Sequence, residues 1–263
     1  MNESQPTGIR ITILASGSRG NATVISDGAT SILVDTGLSA REIARRMALA
    51  GLDPSMLSAV IVTHEHRDHV TGLGPFCRRH GLCAYMSPET FESARDIVGK
   101  IPGVETFRPG RGFSVGTLAL RPFSTSHDAA DPVGFTLEAN GVKIGMATDL
   151  GIATSVVAHH LAGCRALILE ANHDPGMLER GPYPWSLKQR VKSRTGHLSN
   201  EDCRDLLGRV LHAEMTHVIL GHLSETNNLP ELALNVVSQA LSGHRAQLSA
   251  ARQHEVTDIL VLP

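Results

Sequence analysis

Residues 59–69 read Ala-Val-Ile-Val-Thr-His-Glu-His-Arg-Asp-His, so a β-branched apolar run opens directly onto four metal-ligating side chains in six residues. Such a run reads as a buried strand, and groups at its exit stay close to the strand end. His64 and His66, two apart on a chain leaving a strand, can turn both imidazoles to one point, while Asp68 and His69 face a second point nearby. Neutral imidazole and carboxylate are donors that Zn²⁺, Mn²⁺ and iron favour. A solvated loop that merely contains histidine is the plain alternative, and three His with one Asp in six residues weigh against it. The whole chain shares the bias: it has 14 His but one Trp, two Tyr and six Phe, and histidine adds little apolar mass to a core.

Further donors stand just after other apolar runs: Asp35 after 31–34, His127 after 117–123, Asp149 after 142–148, Glu170 after 166–169 and His222 after 217–221. Each alone is ordinary, because Asp and His often begin turns. Their common place at strand exits is informative, since strand ends converge along one rim of an α/β sheet. Strands are also expected at 10–15, 59–63, 133–138 and 256–262, and helices at 40–50, 72–80, 88–98, 154–161, 199–212 and 229–242. Ser199-Asn-Glu-Asp202 has the form of a capping box and sets one helix start. Alternation of this kind argues α/β with helices outside the sheets. Residues 107–148 are strand-rich with Gly turns and no helix, so the sheets are mixed. Without a linker or composition break, one domain over 1–263 is expected.

Several classes fall away. Four Cys without CxxC spacing are no disulfide scaffold. The N-terminal MNESQPTGIR has no apolar signal run, and no stretch approaches the ~18 apolar residues of a membrane span. A soluble, cytoplasmic protein is expected, with no membrane partner and no organic cofactor; the oligomeric state stays open. Lys+Arg at 24 against Asp+Glu at 26 leaves no general basic coat, although a local patch is compatible with that balance.

His64-x-His66-x-Asp68-His69, followed in order by His127, Asp149 and His222 and preceded by Asp35, resembles the metallo-β-lactamase superfamily. The resemblance implies a four-layer αβ/βα sandwich of two mixed sheets with outer helices. It also implies two divalent metal ions, Zn²⁺ or Mn²⁺ with Fe also compatible. By that resemblance His64, His66 and His127 hold one metal, Asp68, His69 and His222 the second, Asp149 bridges, and Asp35 orients a ligand. Two metals about 3.5–4 Å apart activate water for hydrolysis.

Gly196-His197-Leu-Ser199 and Gly221-His222-Leu-Ser224 form a near-repeat that resembles the C-terminal part of tRNase Z-like phosphodiesterases. That likeness makes His197 a general acid for the leaving oxygen, oriented by Glu170; a residue simply preceding the Ser199 cap is the bland reading. Imidazole titrates near neutral pH, which suits proton donation. The catalytic candidates are therefore His197, Glu170 and Asp68. Lys188, Arg190, Lys192 and Arg194, with no acid among them, would line one face if extended or form i,i+4 pairs if helical; they suit a phosphate backbone or are an ordinary solvated face.

Ser16-Gly-Ser18-Arg-Gly-Asn21, Glu170-Ala-Asn172-His173-Asp174, Tyr183-Pro-Trp185 and His222-Leu-Ser-Glu-Thr-Asn-Asn228 together are similar to the YycJ/WalJ group. That group implies a DNA exonuclease working 5′ to 3′ and linked to mismatch repair, with DNA as partner. The substrate-binding candidates are Ser16, Ser18, Asn21, Lys188, Arg190 and His173. Ser16–Asn21 is otherwise a turn that buttresses the metal loops, and His173 otherwise caps a turn with Asp174. Trp185 reads as a packing anchor rather than a stacking platform. A small-molecule hydrolase acting on a thioester, lactone or cyclic phosphodiester is the competing function, and a non-enzymatic metal-binding scaffold a third.

Overall fold

The computed structural model describes residues 8–263; the expectation drawn from the first seven residues lies outside them. The first half runs β1 (Ile9–Ala15), β2 (Ala22–Ser26), β3 (Ser31–Val34), α1 (Ala40–Leu49), β4 (Ala59–Ile61), α2 (Arg67–Val70), α3 (Leu73–His80), β5 (Cys83–Met86), α4 (Pro88–Val98) and β6 (Gly103–Thr106). Then follow β7 (Phe113–Val115), β8 (Leu118–Ser124), β9 (Val133–Ala139), β10 (Val142–Ala147), α5 (Ser155–Leu161), β11 (Ala166–Glu170), α6 (Pro175–Arg180) and α7 (Trp185–Val191). The chain closes with α8 (Asn200–Val210), β12 (His217–Gly221), α9 (Pro230–Ser238), β13 (Gln247–Ala250) and β14 (Leu260–Leu262).

These strands form two seven-stranded sheets, ordered β14-β1-β2-β3-β4-β5-β6 and β13-β12-β11-β10-β9-β8-β7. In the first, pairing is antiparallel from β14 to β3 and parallel from β3 to β6. The second repeats the plan, antiparallel from β7 to β10 and parallel from β10 to β13. Each sheet thus changes mode at one strand, β3 or β10.

Alternation along the strands builds the layers. Ile32, Val34 and Ile61 meet Phe135, Ile144 and Ile168 between the sheets. Leu33 and Val60 point the other way, onto Ile43 and Met47 of α1 and Phe76 of α3. Leu167, Leu169 and Leu220 likewise pack on Leu161 of α5, Leu206 of α8 and Val237 of α9. Central strands buried on both faces have to be apolar throughout, which is why they stand out as runs in the sequence. The expected α/β sandwich with mixed sheets and outer helices is the architecture found.

Differences from expectation have local causes. The strands not anticipated are short, and β6, β7 and β13 lie at sheet edges where one face stays wet. The strand expected at 256–262 shrinks to β14, because Thr257 replaces a ladder bond with its own hydroxyl: Ile13 N–H donates to Thr257 Oγ1 at 2.9 Å. Ser199 does form its capping box with Asp202.

Three loops at the rim are knitted by backbone contacts. Asn21 N–H donates to the Asp68 carbonyl at 2.8 Å, Gly37 N–H to the Asn21 carbonyl at 2.9 Å and Thr36 N–H to the His69 carbonyl at 2.8 Å. A Cβ on Gly37 would sit 1.6 Å from the Asp68 carbonyl oxygen, a backbone atom that has no flexible end to move aside. Gly37→Ala is therefore expected to destabilise by at least ~1–3 kcal/mol and to lower metal content, checked by denaturant unfolding with elemental analysis. Native stability and full metal content in that variant would contradict this packing.

Candidate metal centre and active site

The donors gather where strands of both sheets end. Asp35 follows β3, His64 follows β4, His127 follows β8, Asp149 follows β10, Glu170 ends β11 and His222 follows β12. Asp35, Asp149 and His222 have φ of 60°, 56° and 53°, a left-handed backbone that costs a non-glycine residue about 1–3 kcal/mol. That conformation turns the chain sharply at the strand end and keeps the side chain at the rim. Asn140, the remaining such residue among those described, sits in the Asn-Gly hairpin turn between β9 and β10.

Donor atoms of His64, His66 and His127 lie within 4.8 Å of one another, as do those of Asp68, His69 and His222 and those of His64, His69 and Asp149. Each imidazole is oriented through its other nitrogen or a neighbour. The fully buried Asp35 accepts from His69 Nδ1 at 2.8 Å and from the Thr63 N–H and hydroxyl, both at 2.9 Å. His127 Nδ1 is 3.0 Å from the Gly196 carbonyl, and His66 Nε2 is 3.2 Å from that of Asp128. Such partners set the tautomer and the aim of a ligating ring.

Glu170 is the second organiser and is also fully buried. Its Oε1 lies 2.8 Å from His197 Nδ1 and 2.9 Å from His222 Nδ1. Its Oε2 accepts from the N–H groups of Leu150 at 2.8 Å and Leu198 at 3.2 Å. One carboxylate therefore holds two histidines and the residues following Asp149 and His197. Although Glu170 and His197 fall within ligand distance of Asp149 and His222, these bonds already occupy Glu170.

A metal fits this donor set on two grounds. Buried His64 Nε2 and Asp149 Oδ2 have no hydrogen-bond partner among the described residues. His222 Nε2 lies 3.5 Å from Asp68 Oδ2 and 3.5 Å from Asp149 Oδ1, while His69 Nε2 is 3.3 Å from Asp149 Oδ2. Convergent donor atoms of this kind, buried and only partly paired, are what a cation satisfies.

Charges follow the same map. Burial opposes the imidazolium of His69, but the carboxylates of Asp149, Asp35 and Asp68 outweigh it and hold the group well above its ordinary value. His222 is likewise depressed by burial yet raised well above that value by Asp149, Asp68 and Glu170. Burial alone would lift Asp149, and the charges of His222 and His69 instead keep it well below the carboxylate range. Glu170, penalised by burial, is brought down to about 2 by His197 and His222. His64 falls well below the ordinary value through burial and then the neighbouring His69 charge.

A cavity of about 240 Å³ opens onto this centre, lined by Ser18, Asp68, Asn172, Tyr183, Arg190 and His197 among others. Of the residues read as substrate-binding, it contains Ser18 and Arg190 only. Ser16 is buried and accepts from the His222 N–H at 2.8 Å. Buried Asn21 bonds to the Gly17 backbone and donates to the Asp68 carbonyl, so both side chains brace the rim. His173 is 3% exposed, pairs its backbone with Ser199, and is pushed down to about 4 by burial.

The basic segment is helical rather than extended. Lys188 donates to the Glu179 carbonyl and Lys192 pairs with the Glu179 carboxylate, away from the cavity, while Arg190 turns inward. Trp185 is 67% exposed and anchors nothing, a correction that follows from its place at the outer start of α7. Tyr183, Asn172 and Asp128 went unassigned in the sequence. Asn172 and Asp128 sit beside strong candidates, Asn172 donating to the His222 carbonyl at 2.9 Å, and adjacency was the available signal.

Removing either organiser should loosen the metal. Asp35→Asn and Glu170→Gln are each expected to lower metal affinity about 10–100-fold, measured by chelator competition. Affinity should rise with pH through the neutral range and above, because the raised His69 and His222 must shed protons before they ligate. A pH-independent affinity would contradict this proton competition.

Comparison with known proteins agrees with this geometry. The family model described as the metallo-β-lactamase superfamily matches residues 15–159. The chain is 36% identical over 236 residues to exodeoxyribonuclease YycJ of Bacillus anthracis, covering 89% of each. It is 35% identical over 237 residues to exodeoxyribonuclease WalJ of Streptococcus pneumoniae, covering 88% of each. Among solved structures, the metallo-β-lactamase fold protein YhfI of Bacillus subtilis superposes with a TM-score of 0.75 at 15% identity, over 97% of this chain and all of that one, a likeness of fold. With a convergent set of His and Asp donors at the rim of two mixed sheets, the chain belongs to the metallo-β-lactamase superfamily, in its YycJ/WalJ-like subgroup, and is a metal-dependent hydrolase.

Proposed function

We propose that this chain is a two-metal phosphodiesterase that removes nucleotides from DNA ends in the 5′ to 3′ direction. The observation that carries this reading is His197, clamped at Nδ1 by buried Glu170 and lining the cavity beside the ligand cluster. The two exodeoxyribonucleases to which the chain is more than one-third identical support the choice of DNA.

In this reading His64, His66 and His127 would hold one divalent ion and Asp68, His69 and His222 the second, with Asp149 a ligand to both. Zn²⁺, Mn²⁺ and iron all suit the donors. Bound there, the ions would supply Lewis acidity that makes hydroxide available near neutral pH and offsets charge on the phosphate. Glu170 fixes the His197 ring so that the imidazolium gives its Nε2 proton to the leaving oxygen and ends as a neutral ring whose Nδ1–H still bonds the carboxylate. Asp68, whose side chain is partly open to the cavity, accepts a hydrogen bond from the attacking water. Both sheets contribute, so residues 1–263 work as one catalytic domain. Four free cysteines suit a reducing, cytoplasmic setting.

His197→Ala is expected to keep its metal content yet lose about 10²–10⁴-fold in turnover of bis(p-nitrophenyl) phosphate and of end-labelled duplex DNA. Loss of a metal in that variant would remove the general-acid role. Metal stripping should abolish both activities and metal return restore them. Turnover confined to thioesters or lactones would overturn the phosphodiesterase reading in favour of a small-molecule hydrolase.

A further inference from the structure

One wall of the cavity carries neither a ligand candidate nor His197. It is built by α7 and the turn before it, through Tyr183, Leu187, Arg190 and Val191. Arg190 is the only Lys or Arg lining the cavity among the described residues. Its Nε donates to Asp128 Oδ2 at 2.6 Å, and Asp128 Oδ1 lies 3.5 Å from His127 Nε2. Among the described residues both terminal amino groups of the guanidinium are left without an acceptor, on a side chain 57% exposed. Lys188 and Lys192, drawn to Glu179, do not share this position.

A guanidinium anchored through Nε and open at both amino groups presents the fork that matches a phosphate bidentately. Asp128 links it to His127 of the ligand cluster, so an anion taken by the open side of Arg190 is held beside that cluster. Tyr183 and Leu187 line the same cavity with an aromatic ring and an apolar side chain, suited to a base and a sugar. A cavity of about 240 Å³ is smaller than the ~300–1,000 Å³ of drug-sized sites and too small for a duplex.

We infer that this wall is a subsite for the terminal nucleotide of the strand: Arg190 holds its 5′-phosphate, Tyr183 covers its base, and Asp128 is the positioning residue for Arg190. The inference rests on the phosphodiesterase reading above and adds a requirement to it, that the strand end carry a phosphate.

Oligonucleotides of one sequence with a 5′-phosphate or a 5′-hydroxyl test the requirement directly. The unmodified chain is expected to favour the phosphorylated end at least about ten-fold in kcat/KM, as a charge-assisted contact allows. R190A brings that ratio to about one, R190K and D128N leave it intermediate, and Y183A raises KM for both ends alike. Inhibition of bis(p-nitrophenyl) phosphate hydrolysis by thymidine 3′,5′-bisphosphate and thymidine 3′-phosphate asks the same question without DNA. The bisphosphate should inhibit at least about ten-fold better, and R190A should erase the difference. An unmodified chain that ignores the phosphate in both assays, or an R190A variant that keeps the preference in either, overturns the subsite. If DNA of every form stays intact while the inhibitor difference persists and depends on Arg190, the exonuclease reading falls and the subsite stands.

Discussion

Each sheet changes from antiparallel to parallel pairing at a single strand, and within two residues past that strand comes an aspartate held in a left-handed backbone. Asp35 after β3 and Asp149 after β10 occupy equivalent places in the two halves of the sandwich. At such a switch the flanking connections diverge, one returning as a hairpin and the other crossing over as a helix, which leaves a crevice at the strand end. The rest of the centre is arranged around these two carboxylates. Asp35 aims His69 and pins Thr63, and Asp149 sits among His64, His69, His127 and His222.

Burying so many ionisable groups would be prohibitive if they were unpaired, since an isolated charge loses its hydration. Here, carboxylates and imidazoles alternate in space. Asp149 and Glu170 stay ionised beside histidines, and Asp35, Asp149 and Glu170 each contact at least one ring. Among the described residues His64 Nε2 and Asp149 Oδ2 are left without a hydrogen bond, which a cation at this point would make good. Metal binding and the order of the rim are consequently coupled, as expected where ligands must be deprotonated to bind.

The α7 helix shows where linear reading misleads. Lys188, Arg190, Lys192 and Arg194 form one basic cluster on paper. Helical geometry turns Lys188 and Lys192 to one side, toward Glu179, and Arg190 to the other, toward Asp128 and the cavity. Trp185 opens the same helix on its outer side, in solvent rather than in a core. Ser16 and Asn21 carry the opposite lesson. Their polar side chains, in a Gly-containing turn, are used up on the His222 N–H, on the backbone around Gly17 and Asp68, and on His69, whose Nε2 lies 3.1 Å from Asn21 Nδ2.

What the sequence determined by itself is the set of strand-exit donors and the sandwich that presents them. Doubly buried strands have to be apolar, and ligands have to follow them closely, so both leave a linear trace at 59–69, 142–149 and 217–222. Short edge strands and the helices α2, α6 and α7 left no such trace, because partial exposure relaxes the demand for a periodic apolar face. Only tertiary structure decided that Glu170, expected beside His197, serves His222 as well, that Asp128 carries Arg190, and that His173 lies off the cavity. Those relations join residues from 27 to 62 positions apart. They depend on which side chains a common carboxylate can reach once the strands are in register, a distance that the order of residues does not encode.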